Sequence, residues 1–356
     1  MDVPESFAYR RAMASPTRTT AVTLKQVAEA AGVHFSTVSR ALNPRTRTRV
    51  KPQVAARVLQ TAQQLGYRTN ALASSLRTRR SHVIGMVVPD LASLLVPPIL
   101  EGVEETFLKE GYMTIVANSA NDPARLRRIL SGMIERQVDG LILATATLQD
   151  PALDDAIDVR APVVLVNRTD ASGRAPAVVN DDIRGIGLAV RHLAALGHRR
   201  IAHIAGPRWL STGATRMRGF NLAVGELGLG DPQPPVVEAG AFTRAAGHSA
   251  CLRLIAEHPG ITAIVAGNDL LALGCYDAFA ERQISCPGDI SIAGYNDAPF
   301  VDMVSPPLTT VRIDQHQMGI VAARLLLARM DGQEIAADVL LRPALVERRS
   351  TAAPPP

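Results

Sequence analysis

The stretch TLKQVAEAAGVHFSTVSRALN, residues 23–43, sets the reading of the whole chain. Thr23 stands where its hydroxyl can cap a helix over 24–31, in which Leu24, Val27, Ala28 and Ala31 recur at helical spacing. Gly32 then permits a tight turn. A second helix is predicted over 35–41, with Val38 and Leu42 facing inward and Val33 plugging the angle between the two. Phe35, Ser36, Ser39 and Arg40 are left on the outer face, the layout of a helix-turn-helix whose second helix enters the major groove of DNA. Arg40 can offer a bidentate pair to guanine or grip a phosphate. An ordinary αα-hairpin uses the same turn, so this stretch alone leaves both readings open. A third helix, 53–65 behind Pro52, is expected to bury Val54, Val58, Leu59, Ala62 and Leu65 and to complete a small three-helix domain.

Charge supports the first reading. The chain of 356 residues carries a net charge of +5, but residues 1–80 hold 14 Lys/Arg against 3 acids while the rest hold 24 against 30. A basic end on a mildly acidic body points to a polyanion, nucleic acid before membrane, although a solvated basic tail would have the same charge. No apolar run approaches the roughly 20 residues that span a bilayer. The first residues hold no apolar stretch of secretory length, and three cysteines (Cys251, Cys275, Cys286) make no metal or disulfide framework. A soluble cytoplasmic protein is expected, with no metal and no cofactor.

From Ser81 onward, short apolar runs alternate with amphipathic stretches. Strands are predicted over 83–88, 113–117, 140–144, 162–166, 201–205, 263–266 and 291–294. Helices are predicted over 98–109, 126–136, 183–196, 216–227, 245–257, 270–282 and 315–329. Uninterrupted apolar strands between helices imply parallel sheets covered on both faces, and the length favours two α/β lobes. The domain plan is a disordered leader over 1–21, a head over 22–68, a linker over 69–80, a body over 81–348 and a disordered tail over 349–356.

Head and linker together resemble the lactose/galactose-repressor family of bacterial transcription regulators. TLKQVAEAAGV, STVSRALN, the LGY, TNALA and SLRT segments and IGMVVPD carry the resemblance. It continues through GHRRIAHIAGP, STGATRMRGF, TAIVAGNDLLALG, PGDISIAGYND and PPLTTVR, in order, from about residue 22 to 348. It implies a homodimer that binds a palindromic double-stranded DNA operator, with affinity tuned by a small-molecule effector such as a sugar, a sugar acid or a related metabolite. Operator contacts are implied for Leu24, Lys25, His34, Phe35, Ser36, Thr37, Ser39, Arg40, Asn43 and Tyr67. The linker would form a hinge helix only on DNA, starting at Asn70 with Ala73 on the groove side and Leu76 wedged into the minor groove; so short a helix is marginal in water. Two residues depart from the family pattern: Thr69 stands for a usual proline, and His34 for a serine that caps the recognition helix.

The body resembles periplasmic sugar-binding proteins, two lobes with the ligand between them at the carboxyl ends of the strands. The resemblance places Leu94, Leu95, Asn167, Thr212, Arg216, Phe242, Asn268 and Asn296 in that cleft. Core packing is the alternative for Phe242 and the leucines, and an unrelated salt bridge for Arg216. Asn167 and Asn296 replace aspartates common in relatives, so a cleft poor in carboxylates around Arg216 is expected, favouring an acidic effector. The rival classes are an enzyme and a secreted solute receptor. The chain carries no Walker loop, no nucleophile elbow and no zinc spacing among His192, His198 and His203, and the glycines at 185 and 187 lack the rest of a dinucleotide fingerprint.

Overall fold

A computed structural model describes residues 22–43, 46–67, 80–158, 161–229, 233–335 and 338–356. The chain divides into two compact units, residues 1–79 and 80–356. The first holds α1 (Leu24–Ala31), α2 (Phe35–Leu42), a 3₁₀ turn at Arg47–Arg49, and α3 (Pro52–Gln64). Val27, Ala28, Ala31, Val38, Ala41, Val50, Ala55, Val58 and Ala62 form its core. Leu65 departs from expectation: it lies just past the last turn of α3 and is exposed, while Ala55 takes a core position the pattern did not single out.

The second unit contains two six-stranded sheets. The first lobe orders its strands β11-β5-β4-β3-β1-β2, and the second β12-β10-β9-β8-β6-β7. The strands are β1 (Val83–Val88), β2 (Met113–Asn118), β3 (Gly140–Leu143), β4 (Val163–Val166), β5 (Ala177–Asn180), β6 (Ile201–Ala205), β7 (Val236–Glu238), β8 (Ala263–Ala266), β9 (Ser291–Asn296), β10 (Thr309–Arg312), β11 (Val339–Leu341) and β12 (Ala344–Val346). Every pairing is parallel except β10 with β12. Helices α4 (Val96–Lys109), α5 (Pro123–Glu135), α6 (Pro151–Asp158), α7 (Asp182–Ala195), α8 (Ser211–Glu226), α9 (Arg244–Glu257), α10 (Asp269–Arg282) and α11 (Gln315–Met330) cover the sheets.

The chain passes between lobes three times: after β5, after β10 and after β11. The first and third passages are tied together, because the Asp181 N–H donates to the Leu341 carbonyl at 2.9 Å. The second passage returns α11 to the first lobe, where Met318, Ala322, Ala323 and Leu326 join its core. α4 and α11 touch backbone to backbone: a Cβ on Gly102 would strike the His316 carbonyl, and one on Gly319 the Ile99 carbonyl.

The tail expected to be disordered is ordered over its described length. The Arg349 N–H donates to the Pro307 carbonyl at 3.0 Å. Ser350 is fully buried, its hydroxyl donating to the Ile292 carbonyl at 2.6 Å and accepting from the Thr309 N–H at 2.8 Å. His198 Nε2 donates to the Ala352 carbonyl at 2.8 Å. The physical reason is β12, an antiparallel edge strand that lays the following residues against the sheet, where polar composition serves buried hydrogen bonds and not solvent. The leader, and the hinge residues Asn70, Ala73 and Leu76, lie outside the described residues.

Candidate functional site: recognition helix and interlobe cleft

In the head, a capping box opens α1. The Thr23 hydroxyl accepts from the Gln26 N–H at 3.3 Å and Gln26 Oε1 accepts from the Thr23 N–H at 2.8 Å, satisfying two of the helix's orphan donors. Gly32 then takes the left-handed conformation, φ 62°, that turns the chain into α2. His34 caps α2 as the sequence suggests, with a long 3.4 Å acceptance from the Ser36 N–H, and its ring leans on Phe35 at 4.4 Å between centroids. Val38 and Ala41 face the core. Phe35 and Arg40 are exposed, and Ser36, Thr37 and Ser39 lie half-buried beside them.

The other head residues divide. Lys25 is exposed on the first turn of α1, and Asn43 is exposed at the end of α2. Leu24 and Tyr67 are half-buried against the head's core, so packing accounts for much of each side chain. In the basic loop, Arg47 Nε donates to the Ala41 carbonyl at 2.9 Å, which spends that guanidinium on ending α2.

In the body, the eight cleft residues come together from six elements. Leu94 and Leu95 precede α4, Asn167 follows β4, and Phe242 follows β7. Thr212 and Arg216 stand one turn apart on α8, which begins five residues before the expected position. Asn268 caps α10, its Oδ1 accepting from the Leu271 N–H at 2.9 Å, and Asn296 ends β9. All eight line one cavity of about 430 Å³ at the carboxyl ends of the strands. Asn167 and Asn296 hold positive φ, 65° and 118°, a conformation asparagine tolerates better than most residues. Each buries an Oδ1 with no hydrogen-bond partner among the described residues, so each offers an acceptor to an incoming donor.

Arg216 is not the lone cation that the exchange of aspartates for asparagines suggests. It is buried, with Nε donating to Asp182 Oδ1 at 3.1 Å and Nη1 to the Gly267 carbonyl at 2.8 Å. Its guanidinium lies over the Tyr295 ring at 4.0 Å and near Phe242 at 5.9 Å. Burial pushes the Asp182 carboxyl upward, and the Arg216 charge pulls it back down. A guanidinium this deep requires a counter-ion, and Asp182, 34 residues away at the start of α7, supplies it. Asp269 also lines the cavity, accepting from the Ala298 N–H at 2.7 Å and the Thr310 hydroxyl at 2.5 Å. Burial raises its carboxyl to about 7.

Two further lining residues were not singled out by the sequence. Trp209, half exposed, and Arg168, directly after Asn167, line this cavity and a neighbouring one of about 550 Å³. Arg168 buries its Nε without an acceptor among the described residues. Burial chiefly, and Arg216 secondarily, lower its guanidinium to about 10. The signal available was a charged residue closing the apolar run VVLV at a strand's carboxyl end. No helix among the described residues is long and apolar enough to cross a membrane.

Residues 23–70 match the family described as bacterial regulatory proteins, lacI family, and residues 190–351 match the periplasmic binding protein-like domain. Catabolite control protein A of Priestia megaterium is 30% identical over 331 residues, 93% of this chain and 99% of that protein. The HTH-type transcriptional repressor PurR of Klebsiella pneumoniae is 32% identical over 333 residues, 93% of this chain and 97% of that one. Among solved structures, the lac repressor dimer bound to operator and the anti-inducer ONPF aligns with a TM-score of 0.82 at 27% identity, covering 94% of this chain and 100% of that one. The likeness runs through the capped recognition helix, both lobes and the cleft between them, and by it the chain belongs to the lacI family of bacterial regulatory proteins.

Proposed function

We propose that the protein is a cytoplasmic, non-catalytic transcriptional repressor that binds a palindromic operator as a homodimer and senses a small polar effector in the interlobe cleft. The observation that carries this reading is the presence on one chain of a recognition helix with an open outer face and a cavity gathering all eight expected cleft residues. The names of its relatives agree, being those of regulators: catabolite control protein A, the repressor PurR and the ribose operon repressor of Escherichia coli.

On DNA, Phe35, Ser36, Ser39 and Arg40 read base edges, while Lys25, His34, Thr37 and Asn43 position the backbone. Leu24 and Tyr67 support the helix from beneath. Asn70, Ala73 and Leu76 take the hinge and wedge roles. In the cleft, Asn167, Asn268 and Asn296 pair with hydroxyls, Thr212 and Arg216 donate from α8, and Phe242, Leu94 and Leu95 supply the apolar walls.

Footprinting on genomic fragments tests this. An inverted repeat protected over both half-sites is expected, and Arg40→Ala should cost about 1–3 kcal/mol of specific binding while relaxing preference at one position per half-site. A single unrepeated site would remove the dimer, and the absence of any preferred sequence would remove the regulator.

A further inference from the structure

We infer that the cleft takes an organic anion, a carboxylate- or phosphate-bearing polyhydroxy compound, and that Arg168 is the group that meets its charge. The inference rests on the reading of the cleft as an effector site and names the effector's class.

The carboxylates around the two cavities are engaged elsewhere. Asp182 serves Arg216 at 3.1 Å, and Asp269 takes the Ala298 N–H and the Thr310 hydroxyl. Asp150 accepts from the Thr147 and Leu153 N–H groups at 3.3 and 3.2 Å, and Asp122 from Ala124 and Arg125 at 2.8 and 3.1 Å. Asp90 accepts from the Ala92 N–H at 2.9 Å. Arg168 has no ion pair among the described residues, and its Nε is sealed from solvent with no acceptor. Arg216 is paired with Asp182 and Arg244 with Asp277, which leaves Arg168 as the half-buried cation of the cleft with no ion pair among the described residues.

A half-buried guanidinium whose Nε is sealed from solvent without an acceptor is unfavourable, and it becomes favourable when an anion arrives. Its planar fork matches two oxygens of a carboxylate or a phosphoryl group. Its place is equally specific. Arg168, Asn121 and Trp209 are shared by the 430 Å³ and 550 Å³ cavities, so an anion held there sits where they meet. A polar body then extends over Asn167 and Asn296, whose unpartnered Oδ1 atoms accept from hydroxyls.

The test is thermal unfolding of the full chain at constant ionic strength, in chloride and then with inorganic phosphate, gluconate or neutral glucose. Phosphate or gluconate should raise the wild-type Tm by roughly 2 °C or more, and Arg168→Met should abolish that rise. Arg168→Met should itself unfold at a higher temperature than wild type in chloride, since it removes a buried Nε that has no acceptor among the described residues. Arg168→Lys should keep only part of the response. A response to phosphate alone assigns a phosphate ester, and to gluconate a carboxylate.

Three results would overturn the inference. Anions could raise both wild type and Arg168→Met equally, which places them on the basic head. They could raise neither, or Arg168→Met could unfold earlier in chloride, which makes Arg168 a packing residue. If glucose stabilised both proteins while the anions stabilised neither, the cleft would stand as an effector site and only the anion would be lost.

Discussion

The first lobe is built on strands reading VIGMVV, GLIL and VVLV, while the second, with the same strand order, surrounds its sheet with buried His198, His203, Asp269, Ser291, Thr309 and Thr310. One topology is thus held in two ways. Burial in the first lobe is non-directional, and shape matters more than identity. In the second, each of these six side chains makes at least one hydrogen bond, and losing one strands another in a low dielectric. The cleft draws on both lobes, the first bringing Leu94, Leu95, Asn167 and Arg168 and the second Thr212, Arg216, Phe242, Asn268 and Asn296.

The sharpest way to break this contrast is the Arg216–Asp182 pair. Asp182→Ala leaves a buried guanidinium without its counter-ion and should cost about 3–5 kcal/mol in urea unfolding. Arg216→Met combined with Asp182→Ala should recover a large part of that loss. A single substitution costing under about 1 kcal/mol would mean the polar interior is no more directional than the apolar one.

Next in size is pH dependence, in which two buried groups of the second lobe oppose each other. Burial lowers His203 from its ordinary 6.5 to about 4, so the unfolded chain binds its proton first and stability rises with pH between about 4 and 6.5. Asp269 is raised from 3.8 to about 7, so the folded chain holds the proton longer and stability falls as pH rises from about 4 to 7. Each slope is worth on the order of 3 kcal/mol across its window. The wild type should therefore be nearly flat over that range. His203→Gln should expose the falling slope and Asp269→Asn the rising one, in urea titrations at stepped pH. Two flat variants would show that neither group carries the proton assigned to it.

Smaller still is a pair of near-isosteric exchanges. Thr310→Val removes the hydroxyl that donates to Asp269 and should cost about 1–3 kcal/mol. Leu165→Met, at an equally buried site on β4, should cost less than about 1.5 kcal/mol. Equal losses would erase the distinction between the lobes.

How much of this was legible follows the same division. β1, β6 and β8 have the bounds expected of them, because strands buried on both faces read as apolar runs, interrupted in β6 by His203. β7, β11 and β12 are three residues each and partly exposed, and β10 reads TTVR, so no periodicity marks them. α8 opens on Ser211, Thr212 and Gly213, poor helix formers that hide its start. In the cleft, the eight residues named by resemblance all line one cavity. The pairing of Arg216 with Asp182 was not legible, since a carboxylate in a helix's first turn already has an ordinary local explanation. Arg168 stands directly after Asn167 without a mark of its own, because an unpaired state is a property of the surroundings and not of the residue.

The return of α11 to the first lobe has a consequence for the order in which the molecule is made. Met318, Ala322, Ala323 and Leu326 cover Ile84, Met86, Ile142 and Val164, which leave the ribosome far earlier. At 5–20 residues per second, the first sheet waits roughly 10–35 s for its cover. The second lobe's strands β6 to β10 all lie within that interval, so the lobe begun first is covered only after most of the second has been made. A fragment ending at Leu196 therefore has one face of its sheet covered by α4 alone, with apolar surface left open, and a nascent chain halted there is a substrate for chaperones.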